Sequence, residues 1–211
     1  MNNTLDNFSL DLNFSSSVYK CNRKEFIPVI KPVFEEYIAK SKDLNDLFDI
    51  FPINQTDTFV LDERISEFSH YIANISWDIL GSQGYKTELY LTQVVELWGQ
   101  SHSKTSSMEY HTHESTVLSG FFFIDVPANS SDLVFHDPRS AKVHSNLIEK
   151  NRADLTLASN SVFYKPEPGD IIITNSWLPH SITRNKSNEM LNLLHFNINV
   201  VPRPEEHAIV V

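Results

Sequence analysis

The chain has 211 residues, of which 41% are hydrophobic and 21% are charged, and these values are typical of a globular protein. Its net charge of −10 and its scattered lysines and arginines argue against nucleic acid as a partner. The single cysteine, Cys21, excludes an internal disulfide and a thiolate zinc cluster, and it favours a reducing, cytoplasmic compartment. No signal peptide and no apolar run of membrane-spanning length is visible. We expect one soluble domain over residues 1–211.

Two helices are predicted in the first part of the chain. Residues 8–20 alternate enough to form one or two short strands, and apolar residues then recur at helical spacing over 24–41. A second apolar stripe at helical spacing predicts a clearer helix, for which Asp62 is a plausible cap and Gly81 a plausible stop. We therefore expect a strand and supporting helices within residues 1–84.

The remainder of the chain consists of short apolar runs that are rich in Val, Ile, Phe and Tyr and separated by turn residues, as strands are. These runs cover 87–100, 116–126, 131–138, 154–159, 161–166, 169–175 and 192–201. Two helices followed by about seven strands predict an α+β fold, mainly β, in which a helical layer packs on a β-sandwich or barrel. The core would cover residues 85–201, and 202–211 would be a peripheral tail.

Three histidines form a candidate metal site. His111 and His113 share one face if they lie on a strand, at the start of the strand that continues through Phe121–Phe123. His180 lies 67 residues beyond His113, at the end of the predicted strand 169–175. In a small antiparallel barrel the three imidazoles can converge and leave the other side of a metal ion open. Spacing alone leaves a second interpretation, in which they are ordinary histidines at hairpin ends.

Several motifs around these histidines occur in one order. They are His111-Thr112-His113 through Ser119-Gly120, Phe135-His136-Asp137-Pro138-Arg139, Pro166 through Asp170, Ser176-Trp177-Leu178-Pro179-His180, and Phe196-Asn197. This arrangement resembles the iron- and 2-oxoglutarate-dependent oxygenases, and within them a phage and bacterial group, over roughly residues 87–200. The resemblance implies a double-stranded β-helix, which is an eight-stranded jelly roll with iron in its open end.

The resemblance also implies the roles of the histidines. His111 would be the first ligand, His180 the distal ligand, and His113 would stand where a carboxylate is usual. Glu114 should face the opposite side of the strand, so we prefer His113 as the third ligand. The cofactor would be Fe(II), the co-substrate 2-oxoglutarate, and the reaction the hydroxylation of a C–H bond, with no catalytic residue beyond the metal ligands.

The chain departs from the family pattern where the far carboxylate of 2-oxoglutarate is held. Alignment on Phe196-Asn197 places Leu191 at the family's cation position, and Leu193 and His195 at its hydroxyl positions. A buried carboxylate needs a donor, so the expected cation must have a substitute.

Candidate substitutes are Arg184, Arg139 and His195, with Asn197 on the same face as His195. Each has a plainer interpretation: Arg184 as a solvated turn residue, Arg139 as the partner of Asp137, and His195 as a core histidine. His102, in a Ser-rich stretch, is assigned to a solvated loop, although that loop could also cover the site.

Two other functions remain open on the sequence. The two neighbouring histidines and the missing cation are compatible with a cupin-like metal enzyme that uses no 2-oxoglutarate. They are also compatible with a jelly-roll binding module without catalysis. A cupin normally has a Glu several residues after its second His, whereas Glu114 follows His113 directly. The substrate, a small molecule or a peptide, and the oligomeric state are not encoded in any motif.

Overall fold

The structure is a computed structural model that describes residues 9–41, 53–140, 142, 147–152 and 154–204. The predicted tail therefore lies outside the described residues from position 205 onward. No helix in the described part is long and apolar enough to cross a membrane. Helix α1 spans Ile27–Lys40 and helix α2 spans Ser66–Ser82. The strands are β1 (Val18–Asn22), β2 (Ile53–Gln55), β3 (Tyr90–His102), β4 (Met108–His111), β5 (Leu118–Asp125), β6 (Leu133–His136), β7 (Ser161–Tyr164), β8 (Asp170–Asn175), β9 (His180–Ile182) and β10 (Leu191–Pro202).

Both predicted helices are present, and their ends show where local sequence signals work. Asp62 caps the 3-10 turn that leads into α2, because its carboxylate accepts a hydrogen bond from the Arg64 backbone N–H at 3.0 Å. The prediction that Gly81 stops α2 is wrong, since the helix continues to Ser82. The turn after it contains Gly84, whose φ of +92° lies in the left-handed region that glycine adopts without strain.

The strands form two antiparallel sheets that face each other. The larger sheet has the order β1-β8-β5-β10-β3-β2, and the smaller has the order β4-β9-β6-β7. Strands β3 to β10 alternate between the sheets, except that the consecutive strands β6 and β7 both lie in the smaller sheet, as in a double-stranded β-helix. Strands β1 and β2 extend the larger sheet at its two edges. The predicted fold, mainly β with an N-terminal helical layer, is confirmed.

The two faces of the larger sheet bury different partners. Its outer face packs against α1 and α2, where Phe122 and Phe196 contact Phe68 with ring centroids 5.0 and 6.2 Å apart. Its inner face meets the smaller sheet, where Phe121 and Leu193 join Phe135 in a second apolar cluster. Because successive side chains on a strand point to opposite faces, a single strand supplies both clusters.

Three details of the strand prediction are wrong. Residues 154–159 form turns and irregular backbone rather than a strand, and Leu155 and Leu157 are 69% and 65% exposed. His111 ends a separate short strand, β4, in the smaller sheet and does not begin β5. His180 begins β9 after a turn and does not end β8. Strands of three or four residues are too short to show a period in sequence.

The turn before β8 is built around Gly169 and Asp170. Gly169 has a φ of +87°, and a Cβ there would lie 2.6–2.9 Å from atoms of Lys24. The buried carboxylate of Asp170 accepts from the Glu167 backbone N–H at 2.8 Å and pairs with the Lys20 ammonium at 2.8 Å. These contacts hold the start of β8, the strand that leads to His180.

Candidate metal centre

Two of the three predicted ligands face each other across a strand pair. His111 is the last residue of β4 and is directly paired with His180, the first residue of β9. His113 lies two residues beyond the end of β4, and its backbone N–H donates to the Ser176 carbonyl at 3.0 Å. This bond ties His113 to the segment that leads into His180. The structure therefore brings His111, His113 and His180 together.

The ring nitrogens of these histidines are arranged for metal binding. Nδ1 of His111 lies 2.7 Å from the Glu109 carbonyl oxygen, and Nδ1 of His180 lies 3.0 Å from that of Leu178. A carbonyl can only accept, so each Nδ1 donates and each Nε2 carries a lone pair. Nε2 of His113 is 3.3 Å from Nε2 of His180. Two imidazole nitrogens on one first-row ion, each at about 2.1 Å, are separated by a similar distance. The residues present therefore fit a metal ion.

Burial keeps these rings in the neutral form that binds metals. Burial, together with the neighbouring His111, lowers the pKa of His180 to about 3. The same two causes lower the pKa of His113 to about 4, against the opposing effect of the Glu96 carboxylate. A neutral imidazole needs to lose no proton before it coordinates an ion.

His195 is a fourth member of the cluster. The nearest ligand atoms of His111, His113, His180 and His195 all lie within 4.8 Å of one another. The His195 ring packs against Trp98 with centroids 4.3 Å apart and against His113 at 4.6 Å. It is completely buried, neither ring nitrogen has a hydrogen-bond partner, and burial lowers its pKa well below the usual range.

The other candidates for the co-substrate site lie in different surroundings. Asn197 is buried and donates to the Glu96 carboxylate at 2.6 Å, and its own Oδ1 has no partner. Arg139 is at the surface, where its Nε and Nη2 donate to Asp137 at 2.9 and 2.7 Å and hold the pKa of that carboxyl below its usual range. Arg184 is exposed in the turn after β9. In the described part of the chain, no contact joins either guanidinium to the four histidines.

The prediction that His102 lies in a solvated loop is wrong. It is the last residue of β3, fully buried, and not a solvated loop residue. Its Nε2 lies 3.4 Å from Gln100 Oε1, and its Nδ1 has no partner. The signal was present in the alternation of Trp98, Gln100 and His102, which continues the strand period into the Ser-rich stretch.

Comparison with known proteins agrees with this geometry. Residues 96–197, which contain all four histidines, match the model of a family described as "Putative 2OG-Fe(II) oxygenase". Over these residues the chain is similar to the iron- and 2-oxoglutarate-dependent oxygenases. Its cofactor is ferrous iron and its co-substrate is 2-oxoglutarate. The sequence of this oxygenase matches no curated protein.

Solved structures share the fold of this oxygenase at low sequence identity. The alpha-ketoglutarate-dependent epimerase SnoN from nogalamycin biosynthesis is 12% identical, with a TM-score of 0.65 over 92% of this chain and 81% of its own. AviO1 from Streptomyces viridochromogenes is 12% identical, with a TM-score of 0.60 over 90% and 93%. A Pseudomonas putida prolyl-4-hydroxylase is 10% identical, with a TM-score of 0.59 over 88% and 94%. These likenesses support the double-stranded β-helix.

Proposed function

We propose that His111, His113 and His180 hold the ferrous ion and that the enzyme hydroxylates a C–H bond of a small molecule or peptide. The observation that carries this proposal is the hydrogen bonding of the rings. The Nδ1 atoms of His111 and His180 are bound to backbone carbonyls, which leaves their Nε2 lone pairs free at the centre of the cluster.

The iron, when bound with 2-oxoglutarate and dioxygen, supplies an oxidant that can hydroxylate a C–H bond. The chain's own residues orient the ligands and keep water away. Phe121 and Phe135 pack edge-on against His180, with ring centroids 5.3 and 6.1 Å away. His180 and His195 are fully buried behind this wall. A dry inner side protects a reactive site from side reactions.

Three neutral imidazoles bring no negative charge to the ion. Compared with a site that contains one carboxylate ligand, this site is one unit more positive, which favours an anionic co-substrate. The Glu96 carboxylate is held by a hydrogen bond from Asn197 at 2.6 Å and is exposed. It therefore moderates the charge near His113 without belonging to the cluster.

The substrate would approach from the side of His111 and His113. These two rings are half-buried, whereas His180 and His195 are buried. Tyr110, 61% exposed, directly precedes His111 on β4 and therefore faces the other side of that strand, where its ring lies 5.1 Å from that of His136. Trp177, 48% exposed, follows Ser176, whose carbonyl holds the His113 backbone. The exposed Trp177 ring, next to the segment that holds His113, favours a substrate with an apolar surface, and the net charge of −10 disfavours a polyanion.

The proposal is tested by succinate formation. Metal-free protein is supplied with Fe(II), 2-oxoglutarate and oxygen, and succinate is measured without added substrate. We expect slow succinate formation by the wild type and none by His111→Ala. His136→Ala is a matched control, because both ring nitrogens of His136 already lie 2.9 and 3.2 Å from the Ser181 and Ser161 hydroxyls. Equal succinate formation by His111→Ala would contradict the ligand assignment.

One observation favours a second function, a metal-binding jelly roll that uses no 2-oxoglutarate. The inner face of β10 presents Leu191 and Leu193, which are fully buried and offer no donor to a carboxylate. Protein that retains metal but shows no calorimetric signal with millimolar 2-oxoglutarate would select this function over the oxygenase.

We also propose a cytoplasmic location and membership of the phage and bacterial group of this superfamily. The support is the single cysteine, Cys21, and the order of the motifs over residues 87–200. The acidic charge supports neither nucleic acid nor an anionic membrane surface as a partner.

A further inference from the structure

We propose that His102 and Gln100, on β3, form the pocket that holds the far carboxylate of 2-oxoglutarate. This inference rests on the function proposed above. Residues of β3, and not Arg139 or Arg184, would then bind this carboxylate. Strand β3 would contribute to the site together with the segments that carry the histidines.

The position of the pair matches the length of the co-substrate. The ring centroids of Trp98 and His195 are 4.3 Å apart, so Trp98 is the residue of β3 that lies beside the histidine cluster. Gln100 is two residues farther along the same face, roughly 6.8 Å away. That step is comparable with an extended five-carbon dicarboxylate. His102 follows two residues after Gln100 on the same face, and its Nε2 lies 3.4 Å from Gln100 Oε1.

The residues of β10 that lie opposite Gln100 and His102 are apolar and offer no side-chain hydrogen-bond donor. Leu193 is directly opposite Gln100, and Leu191 is directly opposite His102, in the β10–β3 pair. Opposed residues in an antiparallel pair have Cβ atoms about 4.5–5.5 Å apart on one face. Side chains from β3 therefore reach the same space as side chains from β10. The polar members of this part of the inner face are Gln100 and His102.

The hydrogen bonding of the pair is incomplete without a ligand. His102 is fully buried, yet its Nδ1 has no partner. Gln100 Nε2 donates to Gln55 Oε1 at 2.9 Å, and Gln55 lies at the exposed edge of β2. Both amides can therefore turn, so that Gln100 donates to His102 Nε2 while Nδ1–H donates to a carboxylate. A buried polar atom without a partner is unfavourable, and an anionic acceptor removes that cost.

No acid in the part of the chain that the structure describes already serves these donors. In the described ranges no carboxylate contacts His102 or Gln100, and burial is the single cause that lowers the pKa of His102, to about 4. Arg139 is the opposite case, since its guanidinium is already bound to Asp137. The β3 pair is thus available to a carboxylate from outside the chain.

The test compares two ligands that differ in the far carboxylate. Protein loaded with Mn(II), which prevents turnover, is titrated calorimetrically with 2-oxoglutarate and with pyruvate, a 2-oxo acid without the second carboxylate. We expect His102→Leu and Gln100→Leu to weaken 2-oxoglutarate binding about ten- to a hundredfold, the scale of a charge-assisted hydrogen bond. Pyruvate binding should stay unchanged. His102→Gln, which keeps a donor, should retain most of the affinity.

The control is Ser101→Ala. Ser101 lies on the same strand but on the opposite face, where its hydroxyl donates to Asn192 at 2.7 Å, and this variant should bind both ligands as the wild type does. Equal weakening of both ligands by the β3 variants, or no weakening, overturns the inference. Wild-type affinities that are equal for 2-oxoglutarate and pyruvate also overturn it. Failure of the wild type to bind either ligand refutes the proposed function itself. If His102→Leu does not fold, the affinities of Gln100→Leu and His102→Gln for the two ligands still test the inference.

Discussion

The two faces of the larger sheet use the same strands for different purposes. On the outer face, Phe122, Ile173 and Phe196 are fully buried apolar residues covered by the helices. On the inner face, buried polar atoms without partners accumulate around the histidine cluster. They are Trp98 Nε1, His102 Nδ1, Ser119 Oγ, both nitrogens of His195, and Asn197 Oδ1. Among the described residues, the outer-facing side chains of these strands have no such atom, although helix α2 carries two, Ser69 Oγ and Ser76 Oγ. The inner face has hydrogen-bonding capacity that a ligand can use.

The contrast has an energetic meaning. Each buried polar atom without a partner costs about 1–3 kcal/mol, and a fold tolerates several of them only when burial elsewhere is strongly favourable. The aromatic layer between the larger sheet and the helices provides that burial. We therefore expect substitutions on the outer face to change stability and substitutions on the inner face to change ligand binding.

The largest expected effect is the loss of metal when one of the three proposed ligands, which approach the inner face from the smaller sheet and the segment after β4, is removed. His180→Ala should retain no metal after dialysis, because the remaining rings cannot complete the site. His113→Asp should keep iron, because a carboxylate oxygen replaces the imidazole nitrogen. Elemental analysis by mass spectrometry measures both. Full metal occupancy in His180→Ala would show that the ion binds elsewhere.

On the outer face, Phe196→Ala should lower the free energy of unfolding by about 3–5 kcal/mol, as expected for a fully buried phenylalanine. Ser119→Ala, on the inner face of the adjacent strand, should instead raise it by up to about 1–3 kcal/mol, because the change removes a buried hydroxyl that has no partner. Urea denaturation of the metal-free proteins gives both values. A larger loss for Ser119→Ala than for Phe196→Ala would break the distinction between the faces.

A pH dependence of stability follows from His102. Its pKa is about 4 in the folded chain and 6.5 in the unfolded chain, so between these values the unfolded state binds more protons. Its contribution, up to about 3 kcal/mol, is fully present above pH 6.5 and is lost as the pH falls towards 4. His102→Gln should therefore lose less stability over this range in metal-free protein. His70→Gln, at an exposed position, is the control and should follow the wild type.

The smallest effect is expected for the two surface arginines. Arg139→Ala breaks an exposed pair with Asp137, which contributes about 0–1 kcal/mol. Arg184→Ala removes an exposed side chain. Neither change should alter the affinity of the Mn(II)-loaded protein for 2-oxoglutarate by more than about twofold, since neither guanidinium contacts the inner face in the part of the chain that is described. A tenfold loss in either variant would place the carboxylate near that arginine.

The sequence predicted the long elements of the fold and the convergence of His111, His113 and His180, because both depend on strong local signals. Helix α2 shows a clear apolar period, β5 contains the apolar run Phe121–Ile124, and the ordered motifs carry the topology. Strands β4 and β9, with four and three residues, have too few positions to show a period. They exist because they pair with each other and with β6, which is a tertiary effect.

The burial of His102 was not predicted from the sequence. Its neighbours Ser101 and Ser103 are typical of a loop, and the sequence gives no sign that β2 will pair alongside. In the structure, Ile53 of β2 lies opposite His102 and extends the sheet past the end of the apolar run. The local alternation of Trp98, Gln100 and His102 indicates only that the strand continues to His102. The pairing with β2, a strand of three residues nearly fifty positions earlier in the chain, is not visible in that pattern.

The distance along the chain between the clustered histidines affects how metal supply changes the stability of the protein in a cell. His113 and His180 are 67 residues apart, so an unfolded or partly synthesised chain cannot present both rings at once without a large loss of entropy. The ion therefore binds the finished fold and adds stability by mass action, about 4 kcal/mol at a thousandfold excess over its dissociation constant. When iron is scarce, this protein is expected to open more often and to be degraded sooner.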